Sequence, residues 1–166
     1  KDKPKITSCK GKPYTKITYY PDFEKFKSEG LTDDMITLIS KRTYDASAIT
    51  DLNITIYLND KKLECKSFEK YTDLYLGDRK EVPRLYQEIN DRWAICVAMN
   101  PTQQFEQVSF VNGITTYQGG KHVEYITNQV TKKLGDYIQK KKKVIVKPAH
   151  IKENLFIFIR CLVNDP

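Results

Sequence analysis

Ten residues, Asn154–Val163 (NLFIFIRCLV), limit the possible fold more than any other stretch of the chain. They are apolar at almost every position, so both faces of an extended chain would need cover, whereas a half-exposed strand alternates. Such a strand belongs in the middle of a sheet covered on both sides. The segment His122–Gln139 supplies a cover, with apolar residues at 123, 126, 130, 134, 137 and 138. Those spacings of three and four make a single helical stripe. The fold expected is mixed α/β, with a long helix lying on the sheet.

Other elements follow from local chemistry. Residues 14–20 (YTKITYY) alternate and read as a strand that stops at Pro21. Thr32, followed by Asp33 and Asp34, is an N-cap with acids in the first turn, and the helix should run through Met35, Ile36, Ile39 and Tyr44 to about Ile49. Residues 52–58 (LNITIYL) read as a strand that turns at Asn59-Asp60 into Lys62–Cys65. Ser67 caps a short helix containing Phe68, Tyr71 and Leu74, which ends at Gly77. Residues 78–90 are charged and irregular around Pro83. The runs Trp93–Met99 and Gln107–Val111, separated by a loop, read as an antiparallel pair. Residues 144–146 are too short to assign. A seam is expected near residue 66, where the hairpin ends and a new helix starts.

The four cysteines, Cys9, Cys65, Cys96 and Cys161, show no metal-ligand spacing, and Cys96 and Cys161 lie in apolar runs. That usage fits a reducing, intracellular setting. No run approaches the length of a membrane span. His122 and His150 stand without a sequence-near nucleophile, acid partner or metal partner, and neither a P-loop nor a GxGxxG phrase occurs, so no catalytic residue is assigned. The net charge of +7 is localised: eight lysines against one acid between Lys132 and Lys152 account for all of it. Four of them, Lys140, Lys141, Lys142 and Lys143, are consecutive at the end of the long helix. One or two cations there complement the helix dipole; four repel one another unless an anion is near. They are the candidate contact to nucleic-acid phosphates, reinforced by Lys147 and Lys152. No aromatic residue lies within the run, which favours sequence-blind backbone contact over base stacking.

Between the second apolar strand and the long helix lies SFVNGITTYQGGKHVEYITNQV, with Asn112-Gly113 and Gly119-Gly120 as flexible points. This phrase resembles the signature of the type IIA DNA topoisomerases, in the eukaryotic topoisomerase II branch. The resemblance extends through YTKITYYPDFEKF, LISKRTYDAS, ITIYLNDKKL, SFEKYTDLYL, DRWAICVAM and NLFIFIRCLVNDP, nearly the whole chain. It implies that residues 1–66 are the closing elements of a GHKL-type nucleotide-binding domain. Residues 67–166 would then be a transducer domain with a fold like ribosomal protein S5 domain 2, cut before the family's Gln-Thr-Lys loop. It further implies a parent enzyme that uses ATP and Mg2+, acts on double-stranded DNA as a homodimer and works in the nucleus or another DNA compartment. The family's magnesium- and nucleotide-holding motifs have no counterpart in these residues, so the chain alone is expected to bind neither cofactor. Lys140–Lys143 match the place and character of the family's DNA-touching lysine loop, although Gln139 stands where some relatives begin that run. Two other readings accommodate the residues: a stand-alone S5-like nucleic-acid-binding module, and a mismatch-repair-type GHKL ATPase fragment.

Overall fold

A computed structural model describes residues 3–164, in four helices and seven strands. Helix α1 (Asp33–Ile49) starts as its cap requires: the Thr32 hydroxyl accepts from the Met35 N–H at 3.3 Å, with Asp33 and Asp34 in the first turn. The hairpin of β1 (Tyr57–Leu58) and β2 (Lys61–Lys62) turns at Asn59 and Asp60, whose φ values of 49° and 61° give the doubly positive turn suited to strand twist. Only the end of the expected 52–58 strand enters a ladder. A two-stranded hairpin has little to hold a longer one. The expected strand at 14–20 does not form. Tyr14, Ile17, Tyr19 and Tyr20 are 83%, 84%, 73% and 92% exposed, and their alternation meets no partner strand among the described residues. Helix α2 (Phe68–Leu76) is capped by Ser67 and closed by the Gly77 N–H on the Asp73 carbonyl at 2.9 Å.

The main sheet contains β3 (Arg84–Asn90), β4 (Trp93–Met99), β5 (Glu106–Val111), β6 (Ile114–Thr115) and β7 (Leu155–Cys161), in the order β3-β4-β7-β5-β6. The strand that is apolar on both faces takes the centre, antiparallel to β4 and parallel to β5. β4 and β5 are therefore not the antiparallel pair that their adjacency in sequence suggests, because β7 lies between them. Residues 84–90, read as irregular, form an edge strand. Pro83 precedes it and so removes no ladder donor, and an edge tolerates charges that a central strand would not.

β7 joins two cores. On one face Phe156 and Phe158 pack with Ala94, Cys96, Ala98 and Phe110, under Phe68, Tyr71 and Leu76 of α2 and Ala48 of α1. On the other, Leu155, Ile157, Ile159 and Cys161 pack with Ile95 under Val123 and Ile126 of α3 (Lys121–Lys142) and Ile151 of α4 (Pro148–Glu153). Ile157, Phe158 and Ile159 are wholly buried, so each stabilises by about 1.5–3 kcal/mol relative to exposure. The stripe on α3 departs from expectation in its second half. Leu134 and Tyr137 are 38% and 59% exposed, while Thr127 and Thr131 are buried. Small residues serve there because α4 crosses closely: a Cβ at Gly135 would stand 3.6 Å from Ile151 Cδ1.

A buried carboxylate fastens α1 to this body. Asp45 accepts from Lys41 Nζ at 2.7 and 2.8 Å, from the Tyr71 hydroxyl of α2 at 2.6 Å and from the Thr115 hydroxyl of β6 at 3.3 Å. Arg42 donates to the same Thr115 hydroxyl at 3.0 Å. Lys41 and Arg42 also lie over the Tyr117 ring, 5.5 and 5.1 Å from its centre.

Candidate nucleic-acid interface

Helix α3 connects two unlike ends. At its start, Gly120 has φ 144° and no side chain caps the helix; the Gly120 carbonyl takes the Val123 and Glu124 N–H groups at 3.0 and 3.1 Å. A Cβ at Gly120 would come within 3.2–3.3 Å of the His122 ring, so the position needs glycine for both conformation and space. His122 turns back onto the sheet, its Nε2 3.1 Å from both the Thr116 and Ser109 hydroxyls. Burial lowers the imidazole pKa and favours the neutral ring. The role of His122 is to fix the helix start.

The lysine run lies at the other end. The helix does not stop at Gln139 but continues through Lys140, Lys141 and Lys142, and Lys143 ends it with φ 60° and ψ 24°, its N–H bonded to the Gln139 carbonyl at 3.0 Å. Lysine is a good helix former and its charge suits the carbonyl end of the dipole, which explains the extra turn. Three of the four lysines thus stand on a helix and not in a loop. Successive helical positions are about 100° apart, so these side chains fan around the axis and do not face one way. Spacing by four sets Lys132, Asp136 and Lys140 along one line of the helix.

After α3 the chain passes through exposed Val144 and Ile145 to Lys147, the N-cap of α4. The α3 residues Thr131, Gly135 and Gln139 face Ile145, Val146 and Pro148 across an open cleft of about 390 Å3, with Lys132 and Asp136 also lining it. All eight lysines between 132 and 152 are exposed. Among the described residues, none of them lies within 4.0 Å of a carboxylate oxygen. Lys152 lies over the Phe105 ring at 4.7 Å, which diverts it from the others. His150 pairs with Glu153 at 3.6 Å, both well exposed, a contact of small energetic weight. The structure sets Lys140–Lys143 at one end of α3, with no carboxylate oxygen within 4.0 Å of them among the described residues. Exposed cations of this kind suit contact with the phosphates of a polyanion.

Two polar side chains carry contacts that no local spacing signals. Arg92 and Asn112 hydrogen-bond the chain beyond β7, with partners 70–72 and 51 residues away. Asn112 and Gly113 form the β5–β6 turn, with φ values of 50° and 80° and Val111 opposite Ile114. Among the described residues, no helix is long and apolar enough to cross a membrane.

Comparison with known proteins follows the same residues. The family model for DNA gyrase B matches residues 54–166. The probable DNA topoisomerase 2 of Dictyostelium discoideum is 41% identical over 170 residues, covering 100% of this chain and 11% of that protein. The DNA topoisomerase 2 of Arabidopsis thaliana is 41% identical over 174 residues, covering 100% of this chain and 12% of its own length. Among solved structures, the ATPase region of Saccharomyces cerevisiae topoisomerase II superposes with a TM-score of 0.75 at 39% identity, over 86% of this chain and 36% of that one. The ATPase and transducer domains of DNA topoisomerase II from Balamuthia mandrillaris give a TM-score of 0.76 at 35% identity, again over 86% and 36%. The chain spans about one-ninth of the full length of the curated relatives, and the resemblance carried by its signature phrase is borne out. The chain belongs to the DNA gyrase B family, and its relatives there include eukaryotic DNA topoisomerases 2.

Proposed function

We propose that this chain is the transducer segment of an ATP-dependent type II DNA topoisomerase, with Lys140–Lys143 as its contact to the transported duplex. The observation that carries the reading is a cluster of exposed lysines, unpaired within the described residues, at the far end of a helix whose other end is bonded into the sheet. Membership of the family supplies the reaction class. Residues 1–66 then close the nucleotide-binding domain and residues 67–166 form the transducer. The Asp45 contacts of α1 with α2 and β6 are the mechanical junction between them. ATP and Mg2+ bind to parts of the enzyme outside this chain, and the enzyme works as a homodimer on double-stranded DNA in the nucleus. In this scheme duplex phosphates compensate the fanned lysines and favour one setting of the end of α3. The helix carries that bias to the sheet, and strand passage is coupled to ATP turnover.

The test is made in the topoisomerase that carries this segment, with Lys140–Lys143 all changed to alanine. Basal ATPase should stay within about twofold of the parent, because the lysines lie outside the nucleotide site, while most of the stimulation by duplex DNA and strand passage is lost together. Equal DNA stimulation in variant and parent would remove the lysines from the relay.

A further inference from the structure

The chain leaves the central strand through a clamp. The Val163 N–H donates to Asn112 Oδ1 at 2.8 Å, and Asn112 Nδ2 donates to the Val163 carbonyl at 2.8 Å. The Asn112 backbone N–H donates to the Cys161 carbonyl at 2.9 Å. The side-chain amide therefore stands in for one more peptide of the β5–β7 ladder. On the opposite side, the Arg92 carbonyl accepts from the Leu162 N–H at 2.9 Å. Its Nε donates to the Leu162 carbonyl at 3.0 Å and its Nη2 to Asn164 Oδ1 at 2.9 Å. Leu162–Asn164, which belong to no strand, are gripped from the turns on both sides.

The turn that begins with Asn112 leads within four residues to Thr116, whose hydroxyl meets His122 Nε2 in the first turn of α3. A two-residue turn with positive φ at both positions has little slack. Asparagine, aspartate and glycine tolerate the Asn112 conformation, and of these asparagine alone offers both a donor and an acceptor to a neighbouring peptide.

We propose that Asn112 is a positioning residue that registers the segment leaving β7 against the start of α3, so that displacement of residues 162–164 is passed to the helix that carries Lys140–Lys143. The last link, from α3 to a duplex, rests on the transducer reading above; the first link does not.

Residue-resolved amide hydrogen exchange on the chain tests it with no DNA present, so failure here is separable from failure of the DNA contact. Asn112→Gly keeps the turn and removes the grip. Val163 should then exchange about tenfold faster, and Val123 and Glu124 at the start of α3 should follow. Ile157 and Ile159 in the middle of β7 should be unchanged. Asn112→Asp retains the acceptor for the Val163 N–H and should preserve much of its protection. Thr116→Val, made at the other end of the turn, should speed exchange at Val163. Three results would overturn the proposal: Val163 unaffected in Asn112→Gly, Val163 faster while Val123 and Glu124 keep their parent rates, or a uniform loss along β7 in both Asn112 variants. The last would mark a role in general stability only.

Discussion

Replacing Asp45 tests whether α1 is held by charge or by packing. Its side chain is only 5% exposed, and it accepts from Lys41, Tyr71 and Thr115. In Asp45→Ala each partner fares differently. Lys41, whose side chain is 37% exposed, returns its amine to water, so the lost ion pair is worth no more than about 1 kcal/mol. The Tyr71 hydroxyl loses a short bond to an ionised acceptor, about 1.5–3 kcal/mol, but keeps Tyr75 as a partner at 2.9 Å and is not orphaned. The Thr115 bond to Asp45 is long at 3.3 Å, and its oxygen keeps the Arg42 donor at 3.0 Å, so its loss adds little. The expected loss is about 3 kcal/mol for Asp45→Ala and roughly half that for Asp45→Asn, which still presents an oxygen to Tyr71. Urea titration of both variants and of Tyr71→Phe, with the Asp45→Ala/Tyr71→Phe double variant closing the cycle, gives the Asp45–Tyr71 coupling, expected near 1–2 kcal/mol. A loss below about 1 kcal/mol for Asp45→Ala, with the m-value unchanged, would mean that Ala48 packing alone secures α1 and that the ionic junction is dispensable.

Two further expectations concern charge and pH. Because the helical lysines fan around the axis, about three phosphates and not four should be engaged, giving a log–log salt slope near −2.7 and an affinity loss of about 40-fold between 50 and 200 mM salt. A duplex titration at several salt concentrations measures it, and a slope near zero would exclude phosphate contact. For His122, burial lowers the folded-state pKa beneath the ordinary 6.5, so the unfolded chain binds the additional proton first. Its contribution to stability is complete above about pH 6.5 and is lost as pH falls from there towards the lowered folded value; urea midpoints between pH 7.5 and 5 should show this decline, reduced in His122→Gln.

Much of the architecture was written in local chemistry. Thr32, Ser67 and the Asn59-Asp60 turn acted as their side chains dictate, and the apolar run around Ile157–Ile159 took the centre of the sheet. What misled was pairing. Alternation at residues 14–20 describes a chain able to become a strand, but the ladder that would make it one is a tertiary matter. Likewise β4 and β5 are neighbours in sequence and yet are separated by β7, from far along the chain. The lysine end of α3 was legible as a charge run, whereas its fanned geometry needed the helix to continue past Gln139. The grip of Asn112 on Val163 was invisible because the Asn-Gly turn accounts for that residue locally.

The central place of β7 also sets an order of events. Among the described strands it comes latest in the chain, and both cores depend on it. As the chain emerges during synthesis, the β3–β4 and β5–β6 hairpins can form early, but their facing edges stay open until residues 155–161 arrive between them. Until then β4 and β5 each present apolar, unpaired backbone, the condition in which edges capture other chains. Completing the sheet is an insertion that waits on the whole α3–α4 connection, so yield of the folded protein should depend on how quickly β7 finds its slot.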